Sequence, residues 1–413
     1  MPYASARMDA PFDALVAAYE PGPGPGGLRA LVPVAGRPLV EHQLRRAAAA
    51  GADRLFLLVD EVPLELAKVV TTLKREGLTV QPLRGLDMVA DGFPADRACL
   101  LVADACLADE KVVSCLAAKR VPVLATLPDE AANERHERMD ANTRWAGLAL
   151  LDGARVAAAA AMLGSWDPVS TLLRRAVQEG AARLDVADAP PVLLLDPSEV
   201  AEANERIIAA ARPQPTEWVE RWIILPVLGL VVPRLVQRGT AAEALALPAT
   251  GATLLAGGLA LAGWRWLPLL LLLVAAPVLA AGRQLARVAD RPLTAARIVG
   301  WACRLGHLLA VVGLSVGLFR ASGQWGWLLL GGAVPAAVTV SRLMGQLVRR
   351  PAPLWLTDVG PLAWTLLPFA LIGRWDGGMV ALCLYATISL GLRGRFLLQQ
   401  AAADAGVEVP RLF

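Results

Sequence analysis

The chain has 413 residues, of which 56% are apolar, and its formal net charge is only +3. So small a charge argues against a nucleic-acid-binding protein, whose basic residues cluster on one phosphate-binding face. The cysteines show no CxxC pair or other ligand spacing, which argues against a zinc site and a disulfide framework. They are Cys99, Cys106, Cys115, Cys303 and Cys383.

The apolar residues are concentrated in the second half of the chain. Residues 1–212 mix charged and apolar residues, which predicts a soluble domain, and residues 240–396 are mostly Leu, Ala, Val, Gly and Trp, which predicts a membrane domain. Residues 213–239 are expected to form a juxtamembrane amphipathic helix, and residues 397–413 a cytoplasmic tail. No basic segment followed by a short apolar run opens the sequence, so we expect no signal peptide and a cytoplasmic first domain.

Strand-like and helix-like segments alternate through the first domain. Short apolar runs predict buried strands at Ala14–Tyr19, Leu55–Val59, Cys99–Ala103 and Trp145–Leu151. Helical patterns lie between Leu39 and Gly51 and over residues 167–179 and 199–209. The Pro/Gly cluster Pro21–Gly27 predicts a loop, because proline removes N–H donors and glycine frees φ. This alternation predicts an α/β fold with a mainly parallel sheet.

The block LRALVPVAGRPLVEHQLRRAAAAGADRLFLLV resembles the start of the sugar-phosphate and inositol-phosphate nucleotidyltransferases. Leu31–Leu39 matches that family's "PVxGxPL" run, and Arg29 stands where its lysine usually falls. The resemblance implies a GT-A/Rossmann-like fold and a loop that binds CTP or another nucleoside triphosphate through Gly24, Gly26, Gly27 and Arg29. The loop departs from the family pattern at Pro21, Pro23 and Pro25, which remove three N–H donors.

Two aspartates carry a possible metal site. Asp104 follows the third strand and resembles the family's first metal ligand, and Asp196 resembles the second, so the resemblance implies Mg²⁺. The alternative is structural, with Asp104 starting a turn and Asp196 or Ser198 capping the helix that follows. His42 and His136 are expected to be ordinary surface or helix residues.

The second half predicts an all-α domain of six spans, at about 241–263, 266–283, 298–319, 325–341, 354–373 and 378–392. Trp218 and Trp222 are expected at headgroup level in the helix before them. Arginines are enriched after the second, fourth and sixth segments: Arg283, Arg287, Arg291, Arg297, Arg342, Arg349, Arg350, Arg393 and Arg395. The positive-inside rule then predicts a multi-pass protein of the inner (cytoplasmic) membrane with both termini in the cytoplasm.

This layout resembles the bifunctional inositol-1-phosphate cytidylyltransferase/CDP-alcohol phosphotransferase family, which makes di-inositol phosphate phosphate. CDP-alcohol phosphotransferases carry Asp-x2-Asp-Gly-x2-Ala-Arg-x8-Gly-x3-Asp-x3-Asp, whose four carboxylates hold two metals and supply a base. Aligning that pattern on Ala286 and Arg287 puts the following residues at the four carboxylate positions: Leu279, Gly282, Gly300 and Arg304. The resemblance therefore implies a membrane domain of this type whose phosphotransferase site has been lost.

A few polar residues fall within or beside the apolar segments. Asp290 is expected to pair with Arg287 or Arg291, while Arg304, His307 and Asp358 are either structural contacts within the helix bundle or part of a site.

Three functional hypotheses remain open. The chain is a degenerate family member of phospholipid or polar headgroup biosynthesis, or an active cytidylyltransferase on a phosphorylated polyol, or a non-catalytic scaffold for an active paralogue. The last would form a homodimer or heterodimer through its membrane helices. Transport is disfavoured, because the six segments lack the acidic pattern of a pore or carrier.

Overall fold

The computed structural model describes residues 11–84, 96–119, 122–160, 167–289, 293, 295–348, 353–356 and 358–404. The chain divides into two compact units, Met1–Ala210 and Ala211–Phe413.

The first unit is built on a seven-stranded sheet with the strand order β10-β8-β9-β6-β1-β4-β5. These strands are β1 (Phe12–Ala17), β4 (Leu55–Val59), β5 (Val80–Arg84), β6 (Ala98–Val102), β8 (Val123–Pro128), β9 (Thr143–Asp152) and β10 (Ala182–Asp185). Only β9 runs antiparallel to its neighbours within this described sheet. Two short ribbons flank it, β2 (Pro33–Val34) with β3 (Arg37–Pro38) and β7 (Cys106–Leu107) with β11 (Val192–Leu193).

Helices cover both faces of this sheet. They are α1 (Leu39–Ala49), α2 (Leu64–Arg75), α3 (Glu110–Ala117), α4 (Gly153–Ala160), α5 (Pro168–Gln178) and α6 (Pro197–Ala210). In β1, Ala14 and Val16 pack in the cluster that contains α1, α2 and α3, and Leu15 packs in the one that contains α4 and α5. A strand buried on both faces reads as a continuous apolar run, which is why the sequence identified it. The predicted α/β fold with a mainly parallel sheet is confirmed.

The run Leu31–Leu39, which carries the nucleotidyltransferase resemblance, forms the β2–β3 hairpin and the start of α1. Its two turn residues, Ala35 and Gly36, have φ of 47° and 81°, as a two-residue hairpin requires. The turn is fastened to α6, because the Ala35 amide donates to Asn204 Oδ1 at 2.5 Å.

The second unit is helical. A π-helical turn, Glu220–Ile224, leads into α7 (Leu225–Gln237), and the helices that follow are α8 (Ala242–Leu261), α9 (Trp266–Val288), α10 (Ala296–Ser322), α11 (Gly326–Leu347), α12 (Gly360–Leu371) and α13 (Trp375–Asp404). Five of the described helices, α8 to α11 and α13, are long and apolar enough to cross a membrane. The fifth of the six predicted spans, 354–373, is shorter than expected: α12 has 12 residues, about 18 Å of helix. Pro361 stands in its first turn, and the chain before it turns at residues 354–355.

Glycine contacts hold α8 and α10 together at backbone distance. A Cβ at Gly306 would lie 2.3 Å from the Thr253 carbonyl oxygen, and one at Gly313 would lie 2.3 Å from the Ala260 carbonyl carbon. Any side chain at either position would force the two helices apart. Small residues of this kind allow close helix packing in lipid, where van der Waals contact drives association.

Candidate functional site

The Pro21–Gly27 loop follows β1 and closes on itself. The Gly22 amide donates to the Gly27 carbonyl oxygen at 2.9 Å, and the Gly27 amide donates to that of Gly24 at 3.0 Å. A Cβ at Gly24 would lie 2.1 Å from the Leu28 carbonyl oxygen, so the loop has no room for a side chain there. The three prolines carry no N–H, and the amides of Gly22 and Gly27 donate within the loop. The amides of Gly24 and Gly26 are therefore the ones left for the predicted phosphate contact.

Arg29, the predicted phosphate-binding cation, forms an ion pair next to this loop. Its Nη1 lies 2.5 Å from Glu20 Oε2, and the Arg29 amide donates to the Glu20 carbonyl oxygen at 3.0 Å. The positive charge that would meet a nucleotide phosphate is therefore neutralised by a carboxylate of the same loop.

The Asp104 side chain follows β6 and accepts a hydrogen bond from the segment that follows β1. It is 6% exposed, its Oδ2 accepts from the Glu20 amide at 2.8 Å, and its Oδ1 accepts from the Ala105 amide at 2.9 Å. Burial raises the pKa of Asp104 to about 6 and the charge of Glu20 adds to the shift, whereas hydrogen bonds from the amides of Glu20, Ala105 and Tyr19 oppose it. Ala105 has φ of 60°, so Asp104 opens a turn, in agreement with its structural interpretation.

Asp196 lies at the start of α6 and pairs with Arg135. The distance from Asp196 Oδ2 to Arg135 Nη1 is 2.6 Å, and both side chains are about half exposed. The carboxylate of Glu199 accepts from the Leu195 and Asp196 amides, so Glu199 satisfies the helix start in the manner of a capping box. The helix is thus capped by a residue other than the predicted Asp196 or Ser198 side chains.

The backbone brings the two aspartates to one edge of the unit, because the Leu194 amide donates to the Ala105 carbonyl oxygen at 2.9 Å. Their carboxylates already have other partners, backbone amides for Asp104 and Arg135 for Asp196. Within the described ranges, no group of three or more His, Cys, Asp and Glu side chains could hold a metal ion. This donor set does not fit Mg²⁺ as it stands, and the metal roles of Asp104 and Asp196 stay predictions.

The two histidines of the first unit are buried and have structural roles. His42 lies in α1, as expected, yet it is fully buried and its Nε2 contacts the Val34 carbonyl oxygen at 2.9 Å. His136 is also buried, with Nδ1 3.2 Å from the Trp145 carbonyl oxygen. The expectation of a surface or helix residue holds for His42, which lies in a helix. It is wrong for His136, which is buried outside the helices and whose ring contacts a buried backbone carbonyl.

In the second unit, the aligned carboxylate positions on α9 are filled by helix packing. Leu279 is 7% exposed and belongs to an apolar cluster that also contains Ala246, Ala286 and Cys303. At Gly282 a Cβ would lie 3.0 Å from the Ala242 carbonyl oxygen, so any side chain there would require α8 to shift by a few tenths of an ångström. The Ala286 of the aligned motif packs inward and Arg287 is exposed.

The aligned positions on α10 hold a cation instead of acids. Arg304 stacks over the Trp301 ring, with 5.4 Å from its Cζ to the ring centroid. A Cβ at Gly300 would lie 3.8 Å from Arg304 Nη2, so the guanidinium turns back along the helix towards its start.

Four arginines from four helices form what we term the arginine layer: Arg283, Arg304, Arg342 and Arg393. Arg342 pairs with Asp358 at 2.9 Å, and Arg304 lies within electrostatic range of Arg283, Arg342 and Asp358. In the part of the chain that the structure describes, the other three arginines of the layer make no ion pair. Sequence reasoning missed this layer, although Arg283, Arg342 and Arg393 stand at the ends of apolar segments and Arg304 stands near the start of one.

Glu217, on the segment before α7, lies beside the same layer. Burial raises the pKa of Glu217 to about 8, Asp358 and Glu220 add to the shift, and Arg342 and Arg393 oppose it. A protonated Glu217 leaves the arginine layer with an excess of positive charge at neutral pH. The predicted pairing of Asp290 with Arg287 or Arg291 lies outside the described residues.

No family model matches the chain, and no curated protein matches it. Among solved structures, a putative glucose-1-phosphate thymidylyltransferase from Bacillus anthracis in complex with a sucrose is 10% identical, with a TM-score of 0.39, over 47% of this chain and 94% of that one. A CMP:2-keto-3-deoxy-manno-octonic acid synthetase complexed with CTP is 13% identical, with a TM-score of 0.37, over 49% and 100%. The inositol-1-phosphate CTP transferase from T. maritima is 15% identical, with a TM-score of 0.39, over 48% and 96%. Likenesses at this level carry no argument about activity or substrate.

Proposed function

We propose that this protein is a membrane-anchored, nucleotidyltransferase-like and CDP-alcohol phosphotransferase-like protein of phospholipid or polar headgroup biosynthesis that transfers no phosphoryl group itself. The observation that carries the proposal is the packing of Leu279 and Gly282, together with the cation at Arg304, where the chemistry needs carboxylates. Two metal ions cannot be held without those acids.

The arginine layer supports a binding role for the same end of the bundle. Three of its guanidinium groups lack an ion pair in the described ranges, and Arg304 is oriented by its stacking on Trp301. Guanidinium groups bind phosphate through charge-assisted hydrogen bonds without a metal. The protein then holds a phosphorylated polyol or lipid headgroup for an active paralogue, with which it forms a heterodimer, or within a homodimer.

The arginine distribution also supports a location in the inner (cytoplasmic) membrane with both termini in the cytoplasm. Arg265, Arg320 and Arg374 lie at the helix ends opposite to the arginine layer. They are fewer than the arginines of the layer and its flanking segments. Cysteine labelling of the two termini in inverted membrane vesicles tests this orientation.

The experiment that tests the binding role uses the full chain in nanodiscs, titrated calorimetrically with inositol 1-phosphate and, for comparison, with inositol. We expect saturable binding of the phosphate ester only, weakened at least tenfold by Arg304→Gln. Arg287→Gln is the matched control, since Arg287 is an exposed arginine on the neighbouring helix, and it should change the affinity less than twofold. Equal losses in both variants would contradict a defined site.

A turnover assay with CDP-diacylglycerol and inositol 1-phosphate, run on the same nanodiscs, tests the loss of phosphotransfer. We expect no product above that of protein-free nanodiscs. A measurable rate that Arg304→Gln abolishes would overturn the proposal.

An active cytidylyltransferase is the second candidate, and one observation favours it: Asp104 and the chain before Asp196 meet at the carboxyl edge of β6. The discriminating measurement is titration of the full chain with CTP and Mg²⁺, beside Asp104→Ala. Our proposal expects no Mg²⁺-dependent binding at millimolar CTP. Binding that requires both Mg²⁺ and Asp104 would favour the active enzyme.

A further inference from the structure

A cleft runs between α9, α10, α12 and α13, and its His307 end lies about one helical turn from Arg304 of the arginine layer. Its volume is about 40 Å³, and it is partly open to the surroundings. The lining is mostly apolar and includes Pro268, Leu272, Val311, Leu314 and Leu366. The short α12 forms one wall of the cleft.

One end of the cleft has the composition of a membrane interface. Trp264 and Trp375 line it, and the Trp266 ring meets that of Trp375 edge to face at 5.2 Å. Tryptophan is typical of the headgroup level of a bilayer. Arg265 lines the same end and makes no ion pair in the described ranges, and its Nη2 lies at 3.4 Å from the Gly317 carbonyl oxygen. A cation with no ion-pair partner among the described residues therefore stands at the mouth of an apolar cleft.

The other end is closed by a polar group. His307 is 8% exposed and lines the cleft, and its Nδ1 donates to the Cys303 carbonyl oxygen at 2.8 Å. In the neutral ring the second nitrogen, Nε2, is then an acceptor. Hydrocarbon that extends along the cleft meets this polar edge, which sets the depth of the apolar part.

The length of the cleft matches one leaflet of a bilayer. His307 and Gly317, the contact of Arg265, are ten residues apart on α10, which corresponds to about 15 Å. Half of a hydrocarbon core of about 30 Å is also about 15 Å. A lipid chain whose headgroup lies level with Arg265 ends near His307.

We propose that this cleft binds one chain of an anionic membrane phospholipid, with the headgroup phosphate at Arg265 and the chain lying against α12 and α10. Because lipid tails are as apolar as the cleft, the hydrophobic effect does not favour the bound chain over the bilayer. Selectivity comes from the shape of the cleft and from the charge pair at Arg265.

Native mass spectrometry of the full chain tests this, with phosphatidylglycerol titrated against phosphatidylcholine. We expect one phosphatidylglycerol to be retained at saturation and its affinity to fall at least tenfold in Arg265→Gln. Arg374→Gln is the matched control, because Arg374 is an exposed arginine near the same end that pairs with Asp376, and it should retain the lipid. Non-saturating binding, equal retention of phosphatidylcholine, or equal loss in both variants would overturn the proposal.

Two further variants test the position of the chain. Ala363 lines the cleft and is 5% exposed, so Ala363→Phe should abolish retention, whereas Ile372→Phe at an exposed position should not. If Ala363→Phe fails to fold, His307→Leu decides the question. Removing the polar stop should shift the preferred acyl chain of the bound lipid towards greater length, and an unchanged preference would contradict the assignment.

Discussion

The family resemblances imply metal-binding acids at two places, the end of β6 and the packed face of α9. The two places differ in whether the acid is present. At β6 the acid, Asp104, is present and accepts backbone amides of the neighbouring loop. On α9 the acids are absent, and Leu279 packs in an apolar cluster. Helices satisfy their own amides, so no backbone group there depends on a carboxylate. A loop end does depend on one.

The strongest test of this contrast restores an acid to the helix face. Leu279→Asp places a carboxylate in the apolar cluster around Ala246 and Cys303, and we expect a loss of about 3–5 kcal/mol in the free energy of unfolding. Thermal unfolding of the full chain in detergent measures it, with the volume-conserving Leu279→Met as control at under about 1.5 kcal/mol. A stable Leu279→Asp protein would mean that the site can still accommodate acids.

The matching change at β6 removes one acceptor without changing the shape. In Asp104→Asn an NH₂ group faces the amide of Glu20 or Ala105, and we expect a loss of about 1–3 kcal/mol. Asp60 also follows a parallel strand, β4, but is exposed, so Asp60→Asn should change the stability by less than about 0.5 kcal/mol. Denaturant unfolding of both variants checks the difference. Similar losses in the two variants would contradict a stabilising role for the hydrogen bonds that Asp104 accepts.

A smaller effect is expected at the arginine layer, and it depends on pH. Because the pKa of Glu217 is raised from 4.5 to about 8, the folded state holds its proton more tightly than the unfolded state. The stability from this group is therefore greatest below about pH 4.5 and falls as the pH rises to about 8. Glu217→Gln should match the wild type at pH 4 within error and exceed it at pH 9 by at least about 1 kcal/mol. Melting curves that diverge in the opposite direction would show that Glu217 is charged in the folded protein.

The smallest effect is expected at Asp196, whose carboxylate pairs with Arg135 in solvent. Asp196→Ala should cost no more than about 0.5–1 kcal/mol, as exposed ion pairs do. Thermal unfolding with and without Mg²⁺ measures it. A stabilisation by Mg²⁺ that disappears in Asp196→Ala would instead assign Asp196 to a metal site.

The elements were predictable where a single pattern determined them. Leu55–Val59 agrees with β4 at both ends, and the predicted span at 241–263 lies within two residues of α8, because a buried strand or a span is a continuous apolar run. The predicted span at 354–373 exceeded α12 because hydropathy does not register the turn at residues 354–355. Pro361 was the available signal.

The sites were less predictable because they depend on contacts between distant segments. The sequence shows that Pro21–Gly27 is a loop, but its closure and the hydrogen bond from Glu20 to Asp104 follow from how β1 and β6 pair. The arginine layer likewise requires the packing of four helices. No spacing in the sequence relates Arg304 to Arg342.

The glycine contacts between α8 and α10 restrict how the bundle can move. At Gly306 and Gly313 the two backbones touch, and there is no flexible side chain whose rotation would let one helix slide past the other. The pair must therefore move as one body. Any rearrangement that widens the cleft beside His307 must therefore come from a movement of α12. This helix is the shortest of the described helices from α8 to α13, and its movement leaves the α8–α10 pair in place.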